Sequence, residues 1–76
     1  MNKLSIQILS VSHREKLIAE VQFKNYVIAE ISHDNEDFLI DIFSYNDVQM
    51  QFSFDEYIRI LEEAKDNLLK RIVIAF

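Results

Sequence analysis

The sequence has no cysteine, no glycine and no proline, and each absence removes a class of explanation. Without Cys there is no disulfide to staple a small core and no thiol nucleophile. Without Gly there is neither a phosphate-cradling loop nor a nucleophile elbow, and Asn and Asp must supply every unusual turn conformation. His13 and His33 stand far apart, which is not the ligand spacing of a structural zinc site, so neither a metal nor a cofactor is expected. No apolar run approaches the roughly 20 residues that cross a bilayer. The first residues, Met1 to Gln7, alternate instead of forming the apolar core of a signal peptide, so a cytoplasmic location is expected, with no membrane partner. One charge sign is also missing locally. From Asn25 to Ile58 there is no Lys or Arg, while Glu30, Asp34, Glu36, Asp37, Asp41, Asp47, Asp55 and Glu56 are all acidic. The net charge is −5, and its concentration in the middle of the chain argues against nucleic acid and for a basic partner. The plainer reading of the same run is a solvated face that keeps a small protein soluble.

What remains is 76 residues, half of them apolar, which makes one domain (1–76) of a size at which a single core often needs help. The convincing helical period lies between Phe54 and Arg71. Phe54, Tyr57, Ile58, Leu61, Ala64, Leu68, Leu69 and Ile72 recur at i+3 and i+4, with Asp55, Arg59, Glu62, Glu63, Asp66 and Lys70 opposite. Ser53 and Glu56 have the spacing of a capping box, Asp55 adds negative charge at the first turn, and Lys70 and Arg71 add positive charge at the last. Lys65 interrupts the stripe, so its stem should pack while its ammonium reaches out at an edge.

Before the helix the period is two. Strands are expected at about residues 3–11, 17–24, 26–32, 37–44 and 48–52, with breaks near 13, 25, 35 and 46. Lys24-Asn25 suits a two-residue hairpin loop, with Asn tolerating positive φ. The core face would carry Leu4, Ile6, Ile8, Leu17, Ala19, Val21, Phe23, Val27, Ala29, Ile31, Phe38, Ile40, Ile42, Val48, Met50 and Phe52. The expected fold is therefore α+β, a five-stranded antiparallel β-meander with one C-terminal α-helix packed across one face and Leu61 near its centre. The opposite face would show Ile18, Tyr26, Ile28, Leu39 and Phe43 among Glu20, Glu30 and Asp41, an apolar group with an acidic margin. That composition suits a dimer or a tightly held partner. The tail 72–76 could extend the helix into the core, pair with a sheet edge or contact another chain, and burial within the same chain is the favoured expectation, since a free apolar run would be an aggregation hazard.

Catalytic chemistry finds little to stand on. His33 with Asp34, Glu36 and Asp37 is the single cluster resembling acid–base chemistry, and it reads first as a polar hairpin tip. Asp37 and Asp41 are about 13 Å apart along a strand, too far to share a proton. Tyr45 beside Asp47 is turn chemistry, though an aromatic next to an acid at a loop tip is also a common binding anchor. No catalytic residue is expected, and the chain is not expected to be an enzyme.

The run Phe38-Leu39-Ile40-Asp41-Ile42-Phe43, an Asn/Asp turn, and Phe52-Ser53-Phe54-Asp55-Glu56 leading into Leu61 to Leu68 resembles the strand-to-helix end of small immunity proteins. These accompany bacterial polymorphic and contact-dependent growth-inhibition toxins. The resemblance covers residues 38–69 and is one of style, carrying no functional residue by position. It implies a protein that binds and neutralises a cognate toxin, often a nuclease with a basic cleft. Partner-binding candidates are Glu30, Asp34, Glu36, Asp37, Asp41, Phe43, Tyr45 and Asp47. Two rival readings are an acidic nucleic-acid mimic and a homo-oligomeric structural or regulatory module, in the simplest case a homodimer.

Overall fold

The computed structural model describes residues 4–11, 16–34 and 37–74. Four strands, β1 (Leu4–Val11), β2 (Lys16–Phe23), β3 (Tyr26–Asp34) and β4 (Asp37–Ile42), precede one helix, α1 (Phe54–Ile74). The strands form an antiparallel sheet in the order β1-β2-β3-β4. The α+β meander with a C-terminal helix is thus as expected, but with four strands in place of five.

The fifth strand is replaced by an irregular crossover. Phe43 still donates its N–H to the Ile28 carbonyl at 3.1 Å, so the chain holds to β3 for one residue beyond β4. A turn then follows, closed by Val48 N–H on the Tyr45 carbonyl at 3.3 Å, with Asp47 at φ 64. After that turn the chain leads to the helix side of the sheet instead of pairing back along β4. Met50 and Phe52 do pack against the core, as their alternation suggests, but they do so without a backbone ladder. Phe52 anchors the crossover between two rings, edge-on to Phe23 at 5.1 Å and to Tyr57 at 5.6 Å. The helix then starts where Ser53 caps it: its Oγ accepts the Glu56 N–H at 3.3 Å and its carbonyl the Tyr57 N–H at 2.9 Å.

The β2–β3 hairpin corrects two expectations. Its loop is Lys24-Asn25, but the positive φ of 55 falls on Lys24, the first central residue, and not on Asn25. Any side chain there costs about 1–2 kcal/mol, which glycine avoids. Lys24→Gly should therefore raise stability by about 0.5–1 kcal/mol, read as a higher urea midpoint at unchanged slope, after allowing for glycine's greater unfolded entropy and the loss of the Lys24 ammonium over the Phe23 ring at 5.3 Å.

The second correction concerns parity. A two-residue loop sets Phe23 opposite Tyr26, so both must share the helix side, and strict alternation from there would carry Glu30 into the core. A bulge resolves the conflict. Register shifts between Val21 and Gln22, so that Val21 faces Ala29 while Gln22 faces Val27, leaving Ile28 as the extra residue. Tyr26 consequently packs against the core, Val27 shares the face of Gln22, and Ile28 is buried, where the opposite was expected of all three. Ile18 is buried as well, at 8% exposure, so the open face is less apolar than expected.

The core is centred on Ala19, Val21, Ala29, Ala64 and Leu68, all at 0% exposure. Leu68 and not Leu61 is the central helical residue; Leu61 is half-buried. Tyr57, Ile60, Leu61 and Ile72 flank this centre, and Ile60 was not among the expected stripe. The helix continues through Ile74, and Ile72 packs inward as expected of the tail; residues 75 and 76 lie outside the described residues. Lys65 is exposed with its Nζ 5.0 Å above the Phe38 ring, the edge placement its position predicted.

The helix covers β1, β2 and β3, most heavily β2. A helix is about 10–12 Å wide and strands are about 4.8 Å apart, so a helix seated over β1 to β3 leaves the fourth strand largely unroofed. The consequence falls on β4. Ile40 and Ile42, expected in the core, are 45% and 71% exposed. On the facing flank of the helix Phe54 and Ile58 are exposed too, against expectation.

Candidate functional site: an acidic row on the open sheet face

The bulge that keeps Ala29 and Ile31 inside also fixes what stands outside. Gln7 faces Glu20, Glu20 faces Glu30, and Glu30 faces Asp41, so one row crosses all four strands on the face without the helix. Directly opposed strand residues have Cβ atoms about 4.5–5.5 Å apart, and like charges so placed oppose folding. The row is relieved at one end only. Gln22 Nε2 donates to Glu20 Oε1 at 3.0 Å and to Gln7 Oε1 at 2.9 Å. Glu30 and Asp41 receive no such donor among the described residues. Asp41 is exposed and Glu30 half-buried, with Leu39 and Phe43 exposed beside them on β4 and just past its end.

The expected binding residues divide accordingly. Glu30 and Asp41 come together in the row. Asp37 is exposed on the same face of β4, two residues beyond Leu39. Asp34 pairs with Asp37 at the end of β3, and Glu36 lies outside the described residues. Tyr45 is 36% exposed and held in place: its hydroxyl donates to the Val27 carbonyl at 2.6 Å, and its ring leans on Tyr26 at 4.9 Å. Asp47 is exposed in the following turn, and its positive φ gives it a conformational role. Asp55 and Glu56 sit in the first turn of α1, where they complement the helix dipole instead of the sheet face. Glu20 was left out of the expected site because it lies before the lysine-free stretch. Its place becomes visible once the hairpin register and its bulge are known.

The His33 cluster is taken apart by the pleat. His33 opposes Phe38 on the helix side, ring to ring at 4.8 Å, whereas Asp37 belongs to the other face. Among the described residues no group of three or more His, Asp or Glu side chains is placed to hold a metal. Burial pushes the Tyr57 hydroxyl above its ordinary pKa of 10.0; it lies in the groove between the helix and β4 and stays protonated at neutral pH.

That groove is an apolar concavity in two parts. One hollow of about 540 Å³ is lined by Ile42, Met50, Phe52, Phe54, Ile58 and Leu61 among others. A second, of about 290 Å³, continues from Leu61 to Ile31, Phe38, Ile40 and Lys65. Its walls are largely apolar, with Glu62 and Lys65 of the helix the charged residues lining the second hollow. Among the described residues no helix is long and apolar enough to cross a membrane. No protein-family model, curated protein or solved structure matches the chain.

Proposed function

We propose that this chain is a stoichiometric binding module that recognises a basic protein through the open face of its sheet, and that it acts in the cytoplasm as an immunity-type inhibitor of a cognate toxin domain. The observation that carries the binding part is the Glu20-Glu30-Asp41 row, three carboxylates in direct cross-strand register beside exposed Leu39 and Phe43. A row that opposes folding is most simply offset by a partner that supplies positive charge on the same spacing. The toxin part rests on the resemblance of residues 38–69 to immunity proteins.

The test is association kinetics against the protein encoded beside this one, across a salt series. E30Q/D41N should lower the association rate about ten-fold at low salt, and less at 0.15 M, where the Debye length is about 8 Å. Phe43→Ala should instead raise the dissociation rate with little salt dependence. An association rate unchanged in E30Q/D41N at every salt concentration would reduce the row to a solvated face. Tight binding to several unrelated nucleic-acid-binding proteins would favour the mimic reading over an immunity role.

A further inference from the structure

β4 is an edge strand, and among the described residues no strand pairs with its second edge. Because Phe43 donates to the Ile28 carbonyl, the alternation of an antiparallel ladder directs the backbone groups of Leu39 and Asp41 towards β3. Those of Phe38, Ile40 and Ile42 point outward instead. The same three residues turn their side chains to the helix side, into the apolar groove between β4 and α1. Leu39 and Asp41 face the other way, at the margin of the carboxylate row.

We propose that β4 is a docking edge for an extended segment of the basic partner, which adds to the sheet as a fifth strand. Its side chains would alternate. Those on one side would be apolar and fill the groove over Ile40, Ile42, Phe54 and Ile58, which are all at least 41% exposed. Those on the other would be Lys or Arg, set beside Asp41 and within reach of Glu30. Charge selects this occupant over a second copy of the chain. A copy's own β4 would bring Asp37 and Asp41 to the same face, in a molecule whose net charge is already −5. Main-chain hydrogen bonds would supply affinity and the alternating pockets specificity. The proposal rests on the reading that the partner is basic, and it fixes the segment that partner uses.

The experiment uses the whole chain and a blocked eight-residue peptide alternating Val and Lys, followed by amide hydrogen exchange. The Phe38, Ile40 and Ile42 amides should be slowed at least about ten-fold at saturating peptide, while those already in the β2–β3 ladder should change little. Replacing the Lys residues by Glu should weaken binding at least about ten-fold at low salt, and N-methylation of the peptide backbone should abolish it. Ile40→Pro removes one outward N–H without taking a bond from β3, and should abolish the protection. No protection at millimolar peptide, or protection that survives N-methylation or Ile40→Pro, would overturn the proposal. Protection of the same amides without peptide, accompanied by a dimer in sedimentation, would give the edge to a second copy and overturn it too. A failed edge alongside a salt-dependent association rate lost in E30Q/D41N would leave the sheet-face reading standing.

Discussion

Leu68→Ala should lose about 2–5 kcal/mol of folding stability, seen as a lower urea midpoint with unchanged slope. Leu68 is at 0% exposure and, with Val21, is one of the two largest fully buried side chains among the described residues. Its removal takes away the transfer free energy of the lost carbons and leaves a cavity between helix and sheet. A domain of 76 residues is expected to hold roughly 4–11 kcal/mol in all, so this one change consumes a large part of it. Leu61→Ala, at a half-buried position opening onto the groove, should cost distinctly less. Equal losses at the two positions would mean that the helix is rotated from the placement described.

Ala64→Leu should also destabilise, by about 1–3 kcal/mol, although leucine is an acceptable helix former. Ala64 is at 0% exposure in the same cluster as Ala19 and Ala29, also at 0%, so three methyl-sized side chains mark where helix and sheet lie closest. Three additional carbons there must lift the helix or force strained rotamers. Phe54→Leu, at 77% exposure on the same helix, should be near neutral and serves as the control. Thermal melts of the two variants side by side make the comparison. A neutral Ala64→Leu would mean that the helix–sheet interface is loose enough to absorb the volume.

The row of carboxylates shows how local pattern and three-dimensional register divide the work. Period-two alternation was enough to put Glu20, Glu30 and Asp41 on the face opposite the helix. It could not align them, because alignment depends on a one-residue bulge whose only trace is the conflict between a two-residue loop after Phe23 and the need to bury Ala29 and Ile31. Tyr45 looked like an anchor because an aromatic at a loop tip is often exposed. It is exposed, and its hydroxyl is also held by the Val27 carbonyl, eighteen residues away in sequence and invisible to local reasoning.

The sequence by itself determined the elements with strong periodicity: the helix from Phe54, its Ser53 cap, four strands and their antiparallel order, the inward set of Ala19, Val21, Ala64 and Leu68, and the acidic middle of the chain. These follow from backbone geometry, since side chains repeat every two residues in a strand and every 3.6 in a helix. Tertiary structure alone decided that Met50 and Phe52 pack without forming a strand, that Tyr26 and Val27 exchange faces, and that Ile40 and Ile42 remain exposed. The reason is spatial. One helix roofs fewer than four strands, and the lateral position of that roof, which leaves β4 with an open edge and an apolar groove, is set by where the smallest side chains of helix and sheet meet.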